Sequence, residues 1–177
     1  MKLAAGAAVL AALLLSAVTG CGRAPAPEAR QAEGAAPIVF RRGNGPEPAT
    51  LDPQRAQDEN SRDVIRDLYE GLVAETSSGE QVPGAASSWS VSEDGLEWTF
   101  NLRPEGRWSN GDAVTAADFV AGFRRAVDPA TASTEAGLLM PVAGAREIIA
   151  GDAALETLGV QAPDPHRLVL TLARPTP

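Results

Sequence analysis

Residues 89–129 read WSVSEDGLEWTFNLRPEGRWSNGDAVTAADFVAGFRRAVDP, and they decide the reading of the chain. Ser92–Gly95 is a polar turn. Glu97 to Arg103 then alternates, with Trp98, Phe100 and Leu102 on one face and Glu97, Thr99 and Asn101 on the other, the pattern of a half-buried strand. Pro104–Gly106 and Ser109–Asp112 are turn sequences, and the Asn110-Gly111 pair readily takes a positive φ. Thr115 and Asp118 form an acidic variant of the capping box, in which both side chains can accept from free backbone amides. Phe119, Val120, Phe123 and Val127 follow at helical spacing, so one stripe faces inward while Arg124 and Arg125 lie elsewhere on the surface. The helix stops at Asp128-Pro129. Trp89, Trp98 and Trp108 are expected in the core. A stacking platform for bases or sugars is the alternative, and it is disfavoured because Trp98 shares its face with Phe100 and Leu102.

Working outward, Val64, Ile65, Leu68 and Leu72 recur on one helical face behind the possible N-caps Asp58, Glu59, Asn60 and Ser61, with Gly71 near the end. These four polar residues lack the alternating ligand register of a calcium loop, so capping explains them better. Ile38–Gly43 is a short strand candidate, and Pro46, Pro48 and Pro53 exclude helix from the connection that follows. Glu75–Glu80 is a polar hairpin turn. After Pro129 a short helix before Pro141 and a second over Ala143–Ala150 are expected. Gly159–Ala162 and Arg167–Leu172 flank Pro163-Asp164-Pro165 as a hairpin.

At the start of the chain, Met1-Lys2 and the apolar run Leu3–Val18 read as an export signal, shorter than the ~20 residues of a spanning helix. The run ends in Val18-Thr19-Gly20-Cys21, which looks like a bacterial lipobox and marks residues 1–20 as a lipoprotein signal peptide with lipid attached at Cys21. An ordinary signal peptide with a leftover cysteine is the alternative. With one cysteine in the sequence, a disulfide within the chain and a thiolate metal site are excluded. Residues 21–37, rich in Ala, Pro, Glu and Gly, cannot bury enough surface to fold and read as a disordered tether.

The net charge of −8, with Lys2 the only lysine, argues against nucleic-acid binding. It also leaves the mature chain no lysine for a Schiff base. His166, the single histidine, reads as a solvated turn residue rather than a general base. Neither a phosphate loop nor a Gly-x-Ser-x-Gly elbow is present. No enzyme, metal or cofactor is expected, though an envelope hydrolase or accessory domain with its chemistry coded elsewhere is the rival class.

The pieces Trp98-Thr99-Phe100, Trp108-Ser109-Asn110-Gly111-Asp112, Asp118-Phe119-Val120 and Asp128-Pro129 with Thr131-Ala132-Ser133 resemble, in register, the oligopeptide-binding (peptide/nickel-type family 5) solute-binding proteins of ABC importers. Leu51-Asp52-Pro53, Arg66–Leu72, Pro83–Ala86 and Ile148–Gly151 extend the likeness from Ile38 to the last residue. The resemblance implies an α/β, mixed-sheet periplasmic-binding-protein-like fold of type II, of which this chain would hold only the N-terminal part. Residues 38–71 would start a first lobe, 72–169 would make a small inserted lobe, and 170–177 would return to the first lobe. It implies a monomeric receptor in the cell envelope that binds oligopeptides and hands them to an ABC permease. The same fold could carry a metal chelate, haem or sugar. Two segments are implied to meet ligand: the loop Gln57, Asp58, Glu59 and Asn60, and the loop after Asp128-Pro129. There Thr134-Glu135 replaces the family's usual proline and aromatic. Glu135 would then attract basic peptides, or else simply begin the next helix.

Overall fold

The computed structural model describes residues 39–176. The expected signal peptide, Cys21, the tether and Ile38 lie outside the described residues. The chain divides into two compact units, Met1–Arg42 and Gly43–Pro177. In the first, Val39–Arg42 form no strand, and Gly43 of the second is likewise not extended in a sheet. This corrects the strand expected from Ile38. A strand persists only where a neighbour supplies ladder hydrogen bonds, and residues 39–43 appear in no pairing of either sheet.

The second unit runs α1 (Glu59–Leu68), β1 (Val73–Glu75), β2 (Gln81–Pro83), β3 (Ala86–Val91), β4 (Glu97–Leu102), α2 (Ala116–Val127), α3 (Ala145–Ile149), β5 (Val160–Asp164) and β6 (Arg167–Thr171), with short 3-10 turns at Pro129–Thr131, Ala136–Leu139 and Leu155–Thr157. β1 and β2 form a hairpin of their own; the other four strands make one sheet in the order β3-β4-β6-β5. All its pairings are antiparallel, with Phe100 opposite both Trp89 and Leu168. No helix of the described residues is long and apolar enough to cross a membrane.

The period-two pattern of β4 sends Phe100 and Leu102 into the core, where Leu168, Val160, Val127 and Ile148 meet them. Trp98 lies over Phe100 with ring centroids 6.4 Å apart. Full burial of such side chains contributes about 1.5–3 kcal/mol each. Trp108 does not join them: it is 45% exposed. It follows the Arg107–Ala113 bridge at a surface turn, which holds the ring outside the core cluster.

The start of α2 is held by Asp118, whose Oδ2 accepts from the Thr115 amide at 2.7 Å and the Thr115 hydroxyl at 2.8 Å. The amide bond, chiefly, keeps the Asp118 carboxyl below its ordinary value of 3.8. A depressed carboxylate stabilises the fold above its unfolded pKa, and that contribution is lost as pH falls through the folded value. Asp118→Asn is therefore expected to be less stable than wild type by a constant margin above about pH 5, and the margin should close on acidification. Urea unfolding followed by pH checks this; a pH-independent margin would refute the linkage.

α1 ends at Leu68, one turn before the expected Gly71. Tyr69 is already extended, and the carbonyls of Gly71 and Leu72 accept from the amides of Ala85 and Ala86 at 2.9 and 3.0 Å. Continuing the helix would forfeit these bonds. A Cβ on Gly84 would stand 2.5 Å from the Gly71 carbonyl oxygen, so the backbone approach itself requires glycine there. His166 is also less solvated than expected. It is half-buried, its carbonyl accepts from Leu102 at 2.7 Å, and its Nδ1 is enclosed without a protein partner.

Candidate ligand-binding corner

Three of the four residues in the Gln57–Asn60 loop are fixed by the way α1 begins. Asp58 is the N-cap: its Oδ1 accepts from the Ser61 amide at 2.8 Å and its Oδ2 from the Ser61 hydroxyl at 2.6 Å. These bonds, the hydroxyl first, hold the Asp58 carboxyl below its ordinary range. Ser61 is fully buried, and its oxygen also receives the Thr50 amide at 3.2 Å. The side of α1 most deeply inserted is thus a polar knot, while Leu68 is 61% exposed; the apolar stripe expected to pack inward is only partly covered among the described residues. The Asn60 carbonyl accepts from Asn44 Nδ2 at 3.0 Å, while Glu59, in the first turn of α1, and Gln57 are exposed.

Glu135 reaches the same corner from the far end of α2. Asp128 caps the 3-10 turn through the Ala130 amide at 2.9 Å, and Ala132 turns the chain with φ 53°. The Glu135 amide is then tied to Ser133 Oγ at 3.3 Å. Glu135 occupies the N-cap position of the Ala136–Leu139 turn but makes no capping bond with its side chain. Its Oε1 instead meets Arg62 Nη2 at 3.1 Å, both side chains being about half exposed. The link between these segments is Arg62, a residue sequence reasoning placed merely outward, which stands on α1 two residues beyond the Gln57–Asn60 loop and reaches Glu135.

Arg125 is the second omission. Its guanidinium binds both carboxylate oxygens of Asp52 and, at 2.7 Å, Gln54 Oε1. Gln54 Nε2 continues to the Gly122 carbonyl at 2.7 Å. This bidentate pair clamps the loop preceding α1 onto α2. The Arg125 guanidinium draws the Asp52 carboxyl below its ordinary range, and Arg125 is raised in turn. Neither arginine contact has a local sequence signal, since the partners are 73 residues apart.

An open groove of about 380 Å³ lies between α2 and β5, lined by Ala117, Val120, Ala121, Arg124, Val160, Gln161 and Ala162. None of the predicted site residues lines it. Among the described residues no group of three or more His, Cys, Asp or Glu is placed to hold a metal ion.

This antiparallel sheet with α2 packed on it and the Asp52–Arg125 clamp can be compared with known proteins. Residues 80–177 match the family model described as bacterial extracellular solute-binding proteins, family 5 Middle. The chain belongs to this family. It is 43% identical over 138 residues to the periplasmic oligopeptide-binding protein OppA of Escherichia coli, covering 77% of this chain and 25% of that protein. It is 42% identical over 141 residues to the probable deoxycholate-binding periplasmic protein YgiS of Escherichia coli, covering 78% of this chain and 26% of YgiS. Among solved structures, the Haemophilus influenzae OppA complex with RPPGFSPFR superposes with a TM-score of 0.72 at 43% identity, over 76% of this chain and 26% of that one. The chain thus spans about a quarter of the length of the curated relatives it matches. The mixed helix-and-sheet architecture expected for the N-terminal part of a family 5 binding protein is the one observed.

Proposed function

We propose that the protein is a lipid-anchored extracytoplasmic receptor that binds oligopeptides and delivers them to an ABC import permease. The observation that carries this reading is the superposition on a relative solved with a peptide bound, supported by the ion pair that joins α1, just beyond Gln57–Asn60, to Glu135. A receptor for many peptides must draw its affinity from the shared backbone, and leave side chains to hydrated space. A helix start capped by Asp58 suits such a receptor, because capping fixes the backbone of α1 before ligand arrives. We assign residues 38–71 and 170–177 to one lobe and 72–169 to a second, the protein acting as a monomer at the cell envelope.

A second reading, a small amphipathic cargo, is favoured by the likeness to the probable deoxycholate-binding YgiS. Isothermal titration of the full-length gene product with a neutral tripeptide and, separately, with deoxycholate distinguishes the two. Saturable tripeptide binding with no response to deoxycholate is expected. Deoxycholate binding in the absence of any peptide binding would replace the first reading with the second.

A further inference from the structure

We infer that Arg62 is a specificity-determining residue, which masks the Glu135 carboxylate and so makes this wall of the site indifferent to the charge of the cargo. The inference deepens the peptide-receptor reading and rests on it.

The geometry is direct. Arg62 Nη2 stands 3.1 Å from Glu135 Oε1, with side-chain exposures of 53% and 49%. Glu135 has no capping role that would occupy its carboxylate, so its charge is answered from across the corner and not by its own turn. Arg62 is held at the right place by α1, whose first turn is locked by Asp58 and the buried Ser61. Of the other charges at that end, Asp58 is engaged with Ser61 and Asp63 lies 4.0 Å from Arg66, while Glu59 stands in solvent in the first turn of α1. A lone carboxylate at this point would attract Lys and Arg side chains of a bound peptide, and a lone guanidinium would attract Glu and Asp. Paired, the two present a nearly neutral surface with a donor beside an acceptor, which serves a peptide of either charge.

The test is a charge cycle in the full-length gene product, titrated with matched tripeptides bearing Lys, Glu or a neutral residue. In the wild type the affinity ratios should be close to one. Arg62→Gln should raise the Lys-to-neutral ratio by about 1.4- to 5-fold, the range of exposed ion pairs, and the gain should shrink in high salt. Glu135→Gln should produce a comparable preference for the Glu peptide. The double variant should return to the wild-type ratios, a result that general loosening of the corner would not give. Ratios unchanged in both single variants, with tripeptide affinity otherwise intact, would overturn the role of Arg62 alone. Absence of all peptide binding by the wild type would remove the receptor reading and this inference with it.

Discussion

Leu168→Ala is expected to lower the unfolding free energy by about 2–5 kcal/mol, the range for removing a large aliphatic side chain from a closed core. Leu168 is completely buried, and it sits on β6 between β4 and β5, directly opposite Phe100. An interior strand of a four-stranded sheet has little freedom to collapse onto the gap, because ladder bonds on both sides fix its position. Urea unfolding should show a lower midpoint with an unchanged slope. The contrast is Leu138→Ala: Leu138 is 74% exposed, and its loss should stay within about 0.5 kcal/mol. Equal effects at the two positions would mean that the core is not centred on this sheet.

What the sequence disclosed followed the range of the interactions involved. The β4 strand, the turn with Gly95 at φ 70° and the helix opened by Thr115 and Asp118 are all set by residues within a few positions of one another, and each was legible. So was the β5–β6 hairpin. The strand expected over 38–43 is absent in residues 39–43, because local sequence reports only the ability to join a sheet, whereas pairing depends on a neighbour elsewhere. The end of α1 was misplaced for the same reason. The apolar stripe runs on to Leu72, but the Gly71 and Leu72 carbonyls are taken by Ala85 and Ala86, and no periodicity within the helix records that competition. Trp108 shows a third kind of failure: it was grouped with Trp89 and Trp98, but it follows a surface bridge at Arg107–Ala113 and is 45% exposed.

The candidate site could be marked in the sequence as two loops but not as a corner. Gln57–Asn60 and Glu135 could be marked separately by the family resemblance, and the capping role of Asp58 by its place before an apolar row. What links α1 to Glu135 is Arg62, and what holds the preceding loop on α2 is the Asp52–Arg125 clamp; arginines on a helix exterior look alike in sequence whether they face solvent or a carboxylate 73 residues away. Both pairs are partly exposed, so they act on position and charge pattern more than on stability.

Exchanging Cys21 for Ala is expected to move the protein from the membrane fraction to the soluble one. The motivation is the lipobox-like Val18-Thr19-Gly20-Cys21 closing an apolar run, which on the proposed reading would receive a diacylglyceryl thioether at Cys21 and be cleaved before it. Each buried methylene contributes about 0.8 kcal/mol, so one acyl chain holds a protein only marginally while two hold it firmly. The Ala- and Pro-rich residues 21–37 would then set how far the receptor stands from the bilayer. Because an uncleaved leader would itself retain the variant, Cys21→Ala should be made behind an ordinary secretory leader, beside a wild-type control keeping residues 1–21. Fractionation should find the control with membranes and the variant free. The mass of the control's N-terminal peptide should begin at Cys21 and exceed the peptide mass by the attached lipid. An unmodified thiol at Cys21, or a variant that stays on membranes behind the cleaved leader, would exclude the lipid anchor and leave the protein without it.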